Sequence, residues 1–217
     1  MVLEAGRNDT ADAWRQVMEL LAPHVHVVAY DRAGLGGSAP ASDPVTIARQ
    51  VNDLASVISD VAVRPCVLAG HSWGGLLVQL LAFHRPDLVA GLVLVDPAHE
   101  RMTTVLPRVV RWGIRLAYTG RRDELRGGDR EASMAMLREL RSAPEPFPDV
   151  PVVVLSAARG FPRRFRTHWT RLQADLAAAA PRGRHIIVDG LGHQIHRDRP
   201  DVVADTILQV ITQVRVE

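Results

Sequence analysis

Six short, nearly continuous apolar segments alternate with longer amphipathic segments along the chain. Continuous apolar runs are typical of strands that are buried on both faces, as in parallel sheets covered by helices. The alternation therefore predicts an α/β fold, with a mostly parallel sheet and helices on both of its faces. The predicted strands are residues 2–5, 25–30, 66–69, 91–95, 152–155 and 185–189. The predicted helices are residues 11–21, 46–61, 76–83, 169–180 and 202–214.

One long segment interrupts this alternation. Residues 97–148 separate two predicted strands where a single helix would suffice, and they carry apolar residues at helical spacing. An insertion of this kind is typical of a lid over the carboxyl edge of a parallel sheet. We expect a core of residues 1–96 and 149–217 with a helical lid at 97–148; the alternative is an ordinary pair of packed crossover helices.

Composition excludes several classes of protein. No apolar run approaches the roughly 18 residues of a membrane span, and no basic head with a following apolar stretch suggests an export signal. The single cysteine, Cys66, excludes an intramolecular disulfide framework, so we expect a cytoplasmic protein. All 26 basic residues are arginine, but acidic residues dilute their clusters. We therefore expect no nucleic-acid and no membrane partner.

The segment Gly70-His71-Ser72-Trp73-Gly74 lies between a predicted strand and a predicted helix. This G-x-S-x-G pattern is typical of a sharp turn that lifts a nucleophilic serine above the sheet. Side chains two residues before and after the serine would collide, which explains glycine at both positions. The amino end of the following helix favours negative charge beside the serine. The pattern predicts that Ser72 is a nucleophile.

Together with this motif, four further blocks make the sequence resemble the α/β-hydrolase superfamily over nearly its whole length. They match the strand before the oxyanion loop, the D-x-x-G-x-G-x-S turn, the strand after the serine helix, and the histidine loop with the last helix. The blocks are residues 3–6, 30–38, 92–97, and 192–193 with 199–203. The resemblance implies an α/β-hydrolase fold with about six strands and a Ser-His-Asp triad.

A serine hydroxyl needs a base within hydrogen-bond reach, and the base needs an orienting acid. His193 follows a predicted strand and a glycine-containing loop and precedes a helix, which places it at the same sheet edge as Ser72. We predict that His193 is the general base, with His196 as the alternative. His71 adjoins the nucleophile, but we expect it to be a packed or hydrogen-bonded histidine.

The acid occupies a less usual position. Many members of the superfamily carry it after the strand that corresponds to residues 152–155, but no carboxylate follows that strand here. Asp96, at the end of the preceding strand, keeps the nucleophile–acid–base order along the chain. We predict Asp96 as the acid, with Glu100 and Asp189 as weaker alternatives.

The resemblance also implies an oxyanion hole of two backbone N–H groups, one from Trp73 and one from Arg7. The family often has His-Gly before the second position, where this chain has Ala5-Gly6. Gly34 and Gly36 lack the spacing of a nucleotide-binding loop, so we interpret residues 31–38 as a structural turn. No metal-ligand spacing is present, and we expect no cofactor and no metal.

The resulting hypothesis is a serine hydrolase that cleaves an ester or related acyl bond of a small, apolar substrate through an acyl-enzyme. A perhydrolase, a lactonase, a C–C hydrolase or an acyltransferase would use the same triad, and a non-catalytic ligand-binding homologue would keep the fold. Four apolar side chains are candidates for either pocket or core: Met102, Leu106, Trp112 and Phe161.

The resemblance further implies that the first two strands of the family are absent. Numbered as in the family, the six predicted strands would take the order 4-3-5-6-7-8. Strand 25–30 would then form an exposed edge. We expect either that the natural chain is longer or that a partner or a second copy, as in a homodimer, covers this edge.

Overall fold

The computed structural model describes residues 1–42, 45–61, 64–99, 147–159 and 163–216. Its strands form a six-stranded parallel sheet in the order β2-β1-β3-β4-β5-β6, which confirms the order implied by the resemblance. The strands are β1 (Val2–Glu4), β2 (Val28–Ala29), β3 (Cys66–His71), β4 (Val89–Val95), β5 (Pro151–Ala157) and β6 (Arg182–Val188).

Helices cover both faces of the sheet. They are α1 (Arg15–Leu21), α2 (Ile47–Val61), α3 (Trp73–His84), α4 (Arg163–Ala178), α5 (Ile195–Asp198) and α6 (Pro200–Val216), with 3₁₀ turns at Ala11–Trp14 and Pro86–Leu88. Helices α2, α3 and α4 pack on one face, and α1, α5 and α6 pack on the other.

Alternate residues of the central strands supply these two cores. Leu68 and Leu92 belong to the cluster with α2, α3 and α4, whereas Val67 and Val93 belong to the cluster with α1 and α6. Successive side chains of a strand point to opposite faces, so two cores require apolar residues at every position. This requirement explains the continuous apolar runs in the sequence.

The edge strands differ most from the prediction. Only Val28–Ala29 of the predicted strand 25–30 pair in the sheet, because their partner β1 offers just the short segment Val2–Glu4. At the other edge, β6 begins at Arg182, although its exposed Arg184 carries no apolar signal. Backbone pairing with β5, rather than side-chain burial, sets the extent of β6.

Three predicted helices begin earlier in the structure, α6 by only two residues, at Pro200 rather than at residue 202. Helix α3 begins at Trp73 rather than at residue 76, because Gly74 and Gly75 are already helical. Helix α4 begins at Arg163 rather than at residue 169. Most of the predicted lid, 97–148, lies outside the described residues, as do Met102, Leu106, Trp112 and Phe161.

Gly91 marks a close approach between β4 and α6. A Cβ atom at this position would lie 2.7 Å from Val210 Cγ1 and 3.3 Å from the carbonyl oxygen of Pro151. We predict that Gly91→Ala lowers the free energy of unfolding by about 1–3 kcal/mol through overpacking. Denaturant unfolding followed by circular dichroism measures this effect.

Gly37→Ala is the matched control, since its Cβ would meet Asp31 Oδ2 at 3.9 Å, an ordinary contact distance. We expect this control to stay within about 0.5 kcal/mol of the parent protein. Equal unfolding midpoints for the two variants would contradict the close packing of β4 on α6.

Candidate active site

Ser72 lies in a strained turn between β3 and α3. Its φ of 50° and ψ of −111° place a non-glycine residue in a rarely populated region. Its backbone N–H donates to the carbonyl oxygen of Val95 at 3.1 Å, and its carbonyl accepts from the N–H of Ala98 at 2.8 Å. The last residue of β4 and the chain that follows it therefore hold both sides of the strained residue.

The glycines around Ser72 are required by close backbone contacts, as the motif predicts. A Cβ at Gly70 would lie 2.5 Å from the carbonyl oxygen of Gly74, and a Cβ at Gly74 would lie 2.3 Å from that of Glu4. Gly75 is a further case that the motif did not reveal, because a Cβ there would lie 2.7 Å from Pro97 Cβ.

Asp96 follows β4 directly, and its side chain is fully buried. Its Oδ2 lies 2.6 Å from Nδ1 of His193, while its Oδ1 accepts from the N–H of Ala157 at 3.1 Å and from Trp169 Nε1 at 2.8 Å. Its own N–H donates to the carbonyl oxygen of Leu155 at 2.7 Å. Three donors thus surround a carboxylate that would otherwise lose its hydration without compensation.

The end of β5 explains how the acid can occupy the β4 position. This strand carries no carboxylate at its end, but the N–H of Ala157 donates to Asp96. The neighbouring Ser156 hydroxyl lies 2.7 Å from His185 Nε2 and is fully buried. No sequence pattern marks Trp169 as a partner of Asp96, because Trp169 lies in a segment with the apolar spacing of a packed helix.

His193 lies on the loop between β6 and α5, and its side chain is 44% exposed. When Nδ1 donates to Asp96, the other ring nitrogen, Nε2, is left as a proton acceptor. The backbone carbonyl of His193 accepts a hydrogen bond from His71 Nε2 at 2.9 Å. The structure thus brings Asp96 and His193 together; the catalytic roles of Ser72, Asp96 and His193 stay predictions.

His71 and His196 form a buried pair beneath this loop, with ring centroids 4.1 Å apart. Burial, followed by the nearby histidines, holds the pKa of His71 well below its usual value. Burial, followed by Arg197 and His193, lowers the pKa of His196 to about 3. Its ring packs 4.8 Å from that of Trp14 and is fully buried, which argues against the alternative of His196 as the base.

The predicted oxyanion residues lie side by side. The guanidinium carbon of Arg7 is 5.6 Å from the ring centroid of Trp73, and Arg7 is half-buried. Trp73 is held by a hydrogen bond from its Nε1 to Gln50 Oε1 at 2.8 Å. The roles of the Arg7 and Trp73 backbone N–H groups stay predictions.

Among the described residues, no three histidine, cysteine, aspartate or glutamate side chains are grouped to hold a metal ion. Within the same ranges, no helix is both long and apolar enough to cross a membrane.

The buried pair predicts a loss of stability in acid. An unfolded histidine binds a proton below about pH 6.5, whereas folded His196 resists protonation until about pH 3. The unfolded state therefore binds more protons in this window, and the contribution of His196 to stability, complete above pH 6.5, falls as the pH decreases. Between about pH 3 and 6.5, the unfolding free energy of the parent protein should therefore rise with pH. We predict that His196→Phe reduces the slope of this dependence by about 1.4 kcal/mol per pH unit.

Unfolding free energies measured by urea denaturation at several pH values test this prediction. The control is His24→Gln, because His24 is an exposed histidine. A parental slope in His196→Phe would show that the imidazole does not remain neutral in the folded state.

Comparisons with known proteins agree with this architecture. The chain is 28% identical over 214 residues to the uncharacterized protein YqjL of Bacillus subtilis. This match covers 97% of this chain and 82% of YqjL. It is 41% identical over 85 residues to Lipase LipV of Mycobacterium tuberculosis, a match that covers 39% of this chain and 32% of the lipase.

Among solved structures, alpha/beta hydrolase domain-containing protein 10 from mouse is similar with a TM-score of 0.70 at 20% identity, covering 98% of this chain and 89% of that one. This likeness shows the fold. The model of the alpha/beta hydrolase family matches residues 1–206, which is nearly the whole chain. The protein therefore belongs to the alpha/beta hydrolase family.

Proposed function

We propose that the protein is a serine hydrolase that cleaves an ester-type acyl bond of a small, apolar substrate. The observation that carries this proposal is the 2.6 Å contact between Asp96 Oδ2 and His193 Nδ1 at the sheet edge that also presents Ser72. Family membership supports a hydrolase, and the similarity to a protein named a lipase supports the ester class. A small-molecule substrate and a cytoplasmic location stay predictions from the sequence.

In the proposed mechanism, Ser72 Oγ attacks the acyl carbonyl carbon while its proton passes to Nε2 of His193. Asp96 keeps Nδ1 protonated and stabilises the imidazolium that forms. The burial of Asp96 strengthens this interaction, because little water screens the carboxylate.

The negative charge that develops on the carbonyl oxygen would be bound by the N–H groups of Trp73 and Arg7. Trp73 is the first residue of α3, so the positive end of the helix dipole adds to this stabilisation. The alcohol leaves with the proton from His193. Water, deprotonated by the same histidine, then hydrolyses the acyl-enzyme and releases the acid.

Replacing Ser72 removes the proposed nucleophile. We expect Ser72→Ala to abolish turnover of p-nitrophenyl esters and covalent labelling by a fluorophosphonate, because no hydroxyl remains to attack. Mass spectrometry of the labelled protein measures the second effect. Ser59→Ala, on the exposed side of α2, is the control and should be labelled like the parent.

Equal labelling of Ser72→Ala and the parent protein would contradict the proposal. A series of acyl chain lengths, together with lactones and peracid formation, then separates an esterase from the other hydrolase reactions of the same triad. We expect the highest kcat/KM for the apolar acyl esters.

Replacing Asp96 tests the proposed acid. Asp96→Asn keeps the shape of the side chain but favours the wrong histidine tautomer, and we expect kcat to fall about 10³- to 10⁴-fold. Asp189→Asn is the matched control at the exposed alternative position and should retain parental kcat. If steady-state kinetics instead showed the larger loss of kcat in Asp189→Asn, the acid would be Asp189.

A further inference from the structure

A buried arginine contacts the segment that leads to the predicted oxyanion donor. Arg32 follows β2, and its side chain is 3% exposed. Its Nη1 donates to Glu4 Oε1 at 2.5 Å and to the carbonyl oxygen of Ala5 at 2.8 Å, and its Nη2 donates to that of Gly6 at 2.6 Å. A single guanidinium therefore holds two consecutive backbone carbonyls.

Glu4 balances the charge of this arginine. Its side chain is 1% exposed, and its second oxygen, Oε2, accepts a hydrogen bond from the Tyr30 hydroxyl at 2.5 Å. The planar fork of an arginine suits such a pattern of fixed acceptors, whereas a lysine ammonium cannot reproduce it. The ion pair thus places a rigid donor beside β1 without leaving a buried charge unpaired.

The two carbonyls that Arg32 binds determine the conformation of Gly6. They belong to the two peptide planes on either side of its Cα, so fixing both planes fixes φ and ψ of Gly6. Glycine is needed here because a Cβ would lie 2.8 Å from His71 Nδ1. Since glycine is the most flexible residue, its conformation depends on an external restraint.

The same geometry determines where the N–H of Arg7 points. The carbonyl of Gly6 and the N–H of Arg7 belong to one trans peptide, in which the two groups point in opposite directions. A charged donor on the carbonyl also polarises the peptide and makes its N–H a stronger donor. We propose that Arg32 is a positioning residue that aims and polarises the Arg7 N–H as an oxyanion donor; this inference rests on the proposed function.

The surrounding contacts place this peptide against the serine turn. The carbonyl oxygens of Glu4 and Ala5 lie so close to Gly74 that a Cβ there would be 2.3 and 2.5 Å from them. Glu4 is also in register with Gly70 of β3. The segment held by Arg32 therefore lies against the turn that carries Ser72 and Trp73.

Two variants test the proposal. Arg32→Lys keeps the buried charge but loses the fork, and the double variant Glu4→Gln/Arg32→Met removes the fork and both charges, so that no buried charge is left unpaired. Arg15→Gln is the control, because Arg15 is an exposed arginine paired with Asp12. Circular dichroism and the unfolding midpoint establish that each variant is folded.

We expect kcat for a p-nitrophenyl ester to fall about tenfold in Arg32→Lys and about a hundredfold in the double variant, with KM within about twofold of the parent. An aryl trifluoromethyl ketone reacts with a nucleophilic serine to form a tetrahedral adduct, and the former ketone oxygen of this adduct is an oxyanion. The inhibition constant of the ketone should rise in parallel with the loss of kcat, whereas a merely structural role would not link the two quantities.

Hydrogen exchange of residues 4–8, followed by mass spectrometry, tests the restraint without any need for turnover. We expect faster exchange in both variants and parental exchange in Arg15→Gln. Parental exchange, or parental kcat and ketone affinity, in a folded Arg32→Lys would overturn the role of Arg32. An inactive parent protein that Ser72-directed reagents do not label would instead contradict the proposed function.

Discussion

The parallel pairing of β3 with β4 is the constraint on which the candidate site depends. His71 is in register with Val95, so the residues that follow them, Ser72 and Asp96, leave the sheet at the same level. Both have positive φ, with values of 50° and 42°, and backbone hydrogen bonds to the neighbouring strands hold both. The sheet therefore compensates locally for the strain of two adjacent turns.

The position of the acid depends on hydrogen bonds between the end of β4 and strand β5. The Asp96 N–H donates to Leu155, and its Oδ1 accepts from Ala157, so β5 binds both the backbone and the carboxylate of the aspartate. The indole N–H of Trp169 donates the second hydrogen bond to Oδ1. Because the carboxylate lies at the end of β4 and not at the end of β5, the β5 backbone can donate a hydrogen bond to Oδ1. The second oxygen, Oδ2, then binds His193.

The fold was predictable from the sequence wherever side-chain burial decides it. Central strands need apolar residues on both faces, so β3, β4 and β5 were identified with small errors at their ends. At β2 and β6, backbone pairing decides the extent of the strand, and the apolar pattern misplaced it. The proximity of Asp96 and His193 followed from chain order, whereas Trp169 and Arg32 contact the site from distant segments that no local pattern connects to it.

The shortness of β1 explains why side chains restrain the segment after it. Only Val2–Glu4 pair in the described sheet, so the backbone ladder ends before Ala5 and Gly6. The turn after β2 supplies the missing hydrogen bonds: Asp31 accepts from the N–H of Ala11 and Arg32 donates to Ala5 and Gly6. Asp31 and Arg32 thus hold the two ends of the loop that joins β1 to the 3₁₀ turn at Ala11–Trp14. An active-site loop can in this way be rigid without belonging to a strand, because buried charge-assisted hydrogen bonds replace the ladder.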